Sequence, residues 1–141
     1  MNENFPKVGI GVIVLKGDEV LLGNRINSHG NNTWCFPGGH LELFEEIKNC
    51  ALREVKEETG LKVEIVDTIP VATTNDFFNK ENKHYVTLFV RAKYIEGNPE
   101  IMEPEKCKEW KWFEWNKFPE NIFEPIKNLI RQEYNPFTNL K

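Results

Sequence analysis

From Val8 to Leu15 the chain is apolar except for two alternate glycines, Gly9 and Gly11, and after Lys16-Gly17-Asp18 a second apolar run follows at Val20-Leu21-Leu22. Two apolar runs parted by a short polar break with a glycine predict a β-hairpin. Thr33 to Phe36 predicts a short strand that enters a turn at Pro37-Gly38-Gly39. The apolar period then changes: Ile47, Ala51 and Val55 recur every four residues, which predicts a helix from Leu43 or Phe44 to Thr59, closed by Gly60. Leu61 to Thr74 reads as one strand interrupted at Pro70, His84 to Ile95 alternates as a second, and Trp110 to Trp115 as a third. Ile122, Ile126, Leu129 and Ile130 return to helical spacing, so a last helix is expected from Asn121 to Tyr134, with Pro125 tolerated in its first turn. Strands with two main helices on opposite sides predict an α/β fold, an α/β/α sandwich around a mixed β-sheet.

With 141 residues, 40% of them hydrophobic, and no Pro, Gly or Ser linker in its middle, the chain is expected to form a single domain over residues 1–141. No internal repeat appears. A net charge of -4 argues against a long nucleic-acid partner, which needs a basic surface. No apolar run is long enough to span a bilayer, and the start, Met1-Asn2-Glu3-Asn4, lacks the basic and apolar regions of a signal peptide. A cytoplasmic protein without a membrane partner is therefore expected. Cys35, Cys50 and Cys107 are odd in number and lack a Cys-x-x-Cys pair, and His29, His40 and His84 have no metal-site spacing, so neither disulfides nor zinc is indicated. Trp110, Trp112 and Trp115 fit packing in a core or a dimer better than stacking on a base.

The predicted first helix carries the chemistry. At about 100° per residue, Glu54, Glu57 and Glu58 fall within roughly one third of its circumference. At a separation of about 5 to 6 Å and an effective dielectric near 20, each carboxylate pair repels by about 3 kcal/mol. A cation relieves that repulsion, and hard carboxylate oxygens select Mg²⁺, with Mn²⁺ able to substitute, over zinc. The expected metal ligands are Glu54, Glu57 and Glu58. Gly38-Gly39 lets backbone approach a metal or phosphate, and Arg53 can pair with Glu57 one turn away and orient it. The plain alternative is that the Lys56-Glu57-Glu58 run is only a solvated helix face.

These residues also form a longer pattern: Gly39, five residues, Glu45, seven residues, then Arg53-Glu54-Val55, Glu57-Glu58 and Gly60-Leu61. With seven identities and two aliphatic classes fixed, a chance match at a given start is rarer than about one in ten million, so coincidence is set aside. The pattern is the Nudix box, and the chain resembles a Nudix hydrolase, which implies the Nudix fold.

Outside the box, Leu22-Gly23-Asn24-Arg25, Ser28-His29-Gly30, Pro37-Gly38-Gly39-His40-Leu41-Glu42, His84-Tyr85-Val86-Thr87, Glu103-Pro104-Glu105-Lys106-Cys107 and Tyr134-Asn135-Pro136-Phe137 resemble the MutT-related nucleoside triphosphate diphosphatases of the MTH-type sanitising group. That resemblance implies a homodimer that hydrolyses a nucleoside or deoxynucleoside triphosphate, ordinary or modified, to monophosphate and diphosphate. It implies metal ligation by Glu54, Glu58, Glu57 and the Gly39 carbonyl. Arg25 matches the phosphate-addressing position, Gly38, Gly39 and His40 border the substrate, and Thr87 lies where the pocket wall meets the nucleotide. Phe123 would stack on the base, Glu124 would read an amino edge, and Ile126 would complete that stretch.

Three departures stand out: Phe44 replaces a glycine common in relatives, the last helix opens with Phe123-Glu124-Pro125-Ile126, and an extra loop carboxylate would have to come from Glu103 or Glu105. Glu54 is expected as ligand and general base, with Glu45 supporting the site by hydrogen bonding and countercharge. A second reading keeps the box but takes a nucleoside diphosphate derivative such as ADP-ribose, NADH or a dinucleoside polyphosphate. A third is a non-catalytic nucleotide sensor, which would be expected to lack one or more of the acidic ligands.

Overall fold

The computed structural model describes residues 5–140, so the Met1-Asn2-Glu3-Asn4 start considered above lies outside the described residues. The glycine-spaced run becomes β1 (Lys7–Lys16), which turns at Gly17 (φ 62) into β2 (Glu19–Arg25), as the hairpin pattern predicts. β1 takes three neighbours: β2 and β4 (Gly38–His40) run antiparallel to it and β7 (Lys83–Glu96) parallel. Antiparallel partners then extend both sides, β3 (Trp34–Cys35) and β8 (Cys107–Glu114) on β2, and β5 (Lys62–Ile65) and β6 (Ala72–Phe78) on β7. One parallel pair among antiparallel ones makes this eight-stranded sheet mixed.

Successive side chains of a strand face opposite ways. Ile10, Val12 and Val14 pack with Cys50, Ala51 and Val55 of α1 (Ile47–Thr59), whereas Ile13 and Leu15 pack with Ile126 and Leu129 of α2 (Glu124–Arg131). The two helices therefore cover opposite faces, the expected α/β/α sandwich. Trp110 and Trp112 join the α1-side core, and Trp34 and Trp115 the α2-side core. Among the described residues, no helix is long and apolar enough to cross a membrane.

Several boundaries differ from the pattern, each for a local reason. The first helix starts at Ile47 rather than Leu43 or Phe44, because Phe44 is left-handed (φ 62) and Glu46 is extended (φ -74, ψ 145). Gly38 and Gly39 form a strand, not only a turn: Gly38 pairs with Gly11, and any Cβ on Gly38 would collide with the Ile10 carbonyl oxygen. The segment read as one strand from Leu61 to Thr74 is two, β5 and β6, parted around Pro70, which has no N–H to give a ladder. The last helix is shorter than Asn121 to Tyr134. Ile122 bridges to Trp34 as extended chain, and Glu133 turns left-handed (φ 58).

Candidate active site

The site lies where β1 gives up side chains. Rows across the sheet read His40, Gly9, Thr87, then Gly38, Gly11, Phe89, so two glycines leave a trough in the sheet. A Cβ on Gly11 would come within 2.9 Å of the Phe89 ring. Above the trough opens a cleft of about 530 Å³, with Glu54, Glu57 and Glu58 on one side and Arg25, Tyr85 and Phe123 among its other walls.

Helix α1 delivers the acidic side. Gly60 (φ 73) closes it, its N–H donating to the Lys56 carbonyl at 3.0 Å. Glu58 accepts the Gly38 N–H at 2.8 Å, and burial, reinforced by the Glu54 and Glu103 charges, pushes its carboxyl up to about 8. Burial also raises Glu54, against the pull of Arg53, while Glu57 remains half exposed. A Cβ on Gly39 would strike the Glu54 carboxylate and displace it from β4. Arg53 holds the group in register. It donates to Glu45 at 2.8 and 3.0 Å and to Glu54 Oε1 at 2.7 Å, but reaches Glu57 only at 3.5 Å. The expected Arg53–Glu57 pair is thus longer than its pairs with Glu45 and Glu54, and only Glu42, at 3.9 Å, lies farther. Arg53 in return keeps Glu45 down at about 2.

Among the described residues, no group of three or more His, Cys, Asp or Glu side chains is gathered as a metal cage. The residues nonetheless fit a magnesium-type ion, which binds through one or two carboxylates and takes its remaining oxygens from water and phosphate. Two sheltered carboxylates raised above their ordinary range, beside a glycine strand that only a missing Cβ permits, are what such an ion would stabilise. Of the two loop carboxylates considered, Glu103 lies close enough for its charge to raise both Glu54 and Glu58; Glu105 contributes its backbone carbonyl, which accepts from Asn27.

The opposite wall is basic and aromatic. Arg25 donates to Ser28 Oγ at 3.0 Å and to the His29 carbonyl at 3.1 Å, lies 4.2 Å over the Phe123 ring, and makes no ion pair among the described residues. Its charge is therefore free for an anion. Tyr85 stacks between His29 and His40 at 4.9 and 5.4 Å, and its hydroxyl lies 2.9 Å from His40 Nε2. Burial lowers both histidines, His29 to about 4, so the stack stays neutral at pH 7. Phe78 packs on Phe123 at 5.3 Å, and Ile126 also lines the cleft. Glu124 does not line it and pairs with Arg131 at 3.7 Å. The sequence reading missed Tyr85, Phe78 and His29. Period two along β7 carried a signal for the first, since Tyr85, Thr87 and Phe89 share one face.

The NUDIX domain profile matches residues 5–132. An ADP-ribose pyrophosphatase of Methanocaldococcus jannaschii is 28% identical, the match covering 89% of this chain and 74% of that protein. An RNA pyrophosphohydrolase of Novosphingobium aromaticivorans is 24% identical over 99% of both chains. The crystal structure of a MutT NUDIX hydrolase from Burkholderia pseudomallei superposes with a TM-score of 0.76 at 22% identity, covering 92% of this chain and 98% of that one.

Proposed function

This chain belongs to the NUDIX family, and on that premise we propose that it hydrolyses a nucleoside or deoxynucleoside triphosphate to monophosphate and diphosphate, with Mg²⁺ or Mn²⁺ held by Glu54, Glu58 and Glu57. The supporting observation is one cleft in which two raised carboxylates, Glu54 and Glu58, face the aromatic rings of Tyr85 and Phe123 and an Arg25 that makes no ion pair among the described residues. When bound, the divalent ion neutralises polyphosphate charge and polarises the attacked phosphorus. The protein's own groups do the rest. Arg25, seated over one face of the Phe123 ring, takes phosphate oxygens, and the base would lie against the rest of that ring. Arg53 donates to Oε1 of Glu54, which leaves Oε2 with lone pairs both to hold the ion and to accept a hydrogen bond from the attacking water. Glu45 acts through Arg53 and not on substrate.

A second reading, a nucleoside diphosphate joined to another group such as ADP-ribose, is favoured by the name of the Methanocaldococcus relative and uses the same acidic wall. The two differ only in what leaves. Product analysis over triphosphates, ADP-ribose, NADH and dinucleoside polyphosphates in Mg²⁺ separates them: release of diphosphate supports the first, and the second is supported by paired monophosphates from ADP-ribose or NADH, or by a nucleoside monophosphate with a nucleoside polyphosphate from a dinucleoside polyphosphate. In either case Glu54→Gln and Glu58→Gln should lower turnover by at least about 10²-fold with the fold intact. Near-normal turnover in both variants would remove the proposed site. A homodimer acting on free nucleotides in the cytoplasm completes the proposal, and light scattering that returns the mass of one chain would remove the dimer.

A further inference from the structure

Asp76 in β6 is fully buried, and donors from three elements converge on it. Its Oδ2 accepts from Thr74 Oγ1 at 3.0 Å and from Thr87 Oγ1 at 2.6 Å, and its Oδ1 accepts from Asn128 Nδ2 at 2.8 Å. A carboxylate accepts and does not donate, and a threonine hydroxyl has one proton. The Thr87 proton is spent on Asp76, so the side chain turns only lone pairs and a methyl group toward the cleft it lines. In the sheet Thr87 sits between Gly9 and Thr74, and a Cβ on Gly9 would already reach 3.7 Å from Thr87 Oγ1, so glycine keeps that oxygen uncovered. Through Asn128 the same carboxylate ties down α2, whose start brings Phe123 and Ile126 to the cleft.

We infer that Asp76 is a positioning residue that sets the hydrogen-bond polarity of this wall: it makes Thr87 an obligate acceptor, and the ligand group bound beside it is a donor, such as an amino or imino N–H on the edge of a nucleobase. The identity of the ligand rests on the nucleotide reading above. The polarity does not.

An amide at position 76 breaks this arrangement. Its NH₂ either opposes Asn128, donor to donor, or faces Thr87 and drives the threonine proton into the cleft. Steady-state kinetics with base-modified nucleotides should show that Asp76→Asn raises KM at least about tenfold for bases that carry the N–H, with kcat within about twofold. Bases methylated at that nitrogen should lose far less. Adding Asn128→Asp lets the new amide donate to position 128 and accept from both threonines, so KM should return to within about threefold of the starting protein. An unchanged KM, or a uniform fall in kcat that Asn128→Asp does not rescue, overturns the inference. If Asp76→Asn does not fold, NMR of the unaltered protein decides instead: the Thr87 hydroxyl proton should exchange slowly and keep its contact to Asp76 when nucleoside monophosphate saturates. A proton that turns to the nucleotide overturns the inference. Absence of turnover on any nucleotide by the unaltered protein would count against the functional reading, while the NMR result would still decide the polarity.

Discussion

Phe44 occupies a backbone position with φ 62 and leaves its ring 97% exposed. A left-handed conformation costs an L-residue about 1–2 kcal/mol, and an exposed ring returns nothing by burial. Glycine gives back roughly 0.5–1 kcal/mol in unfolded-state entropy, so Phe44→Gly should raise stability by about 0.5–1 kcal/mol, read as a higher urea midpoint at unchanged m-value. A lower midpoint would show that the ring has a contact in solution.

His29 gives a residue-scale prediction in pH. Burial first, then the charges of Arg25, Lys83, His40 and Lys7, lower it from 6.5 to about 4. Between those values the unfolded chain takes up a proton that the folded chain refuses, so this contribution to stability is present above pH 6.5 and is lost as pH falls toward 4. Urea midpoints at pH 7 and pH 5 should therefore differ less in His29→Gln than in the unaltered protein. At this scale the acidic face of Glu54, Glu57 and Glu58 was legible, because helical period alone places it. Arg53's preference for Glu45 and Glu54 over Glu57 was not, since it depends on where the loop before α1 returns Glu45 to the helix.

At the scale of elements, β7 and the segment after α2 are joined by one buried cation. Arg91 is 5% exposed, pairs with Asp67 through both carboxylate oxygens at 3.0 Å, and donates to the carbonyls of Pro136 at 3.1 Å and Thr138 at 2.7 Å. Arg91→Met would leave Asp67 sheltered without its partner and free the strap from 135 to 139. A loss of about 3 kcal/mol is expected, together with faster hydrogen exchange confined first to that strap and the end of α2. Uniform exchange across the sheet would argue against the strap. Apolar spacing made both helices and most strands legible, but the strap's tie to Arg91 runs through its own carbonyls, which leave no side-chain pattern to read. The same holds for β4, where the Pro37-Gly38-Gly39 signal marked a turn although the glycines serve a close strand pairing.

The whole molecule places its cleft where β1 is shared among β4, β7 and β2, with α1 on one face and α2 on the other. Folding brings Glu54 and Glu58 together out of water, which opposes stability unless a cation follows. A ligand bound only by the folded chain stabilises it by RT ln(1 + [L]/Kd), about 2.7 kcal/mol at a hundredfold excess over Kd. At roughly 2–4 °C per kcal/mol for a chain near this size, saturating Mg²⁺ should raise Tm by roughly 5–10 °C. Glu58→Gln removes a carboxyl that must take up a proton or bury its charge when the metal-free chain folds, while keeping an oxygen for the Gly38 N–H, so its metal-free Tm at pH 7 should lie above that of the unaltered protein, and its Mg²⁺-dependent gain should shrink. Magnesium-free, EDTA-treated scans supply the baseline for both proteins. Identical Mg²⁺ responses in the two would mean that the ion stabilises the fold from somewhere other than the acidic wall of the cleft, and the assignment of Glu58 as a ligand would fall with it.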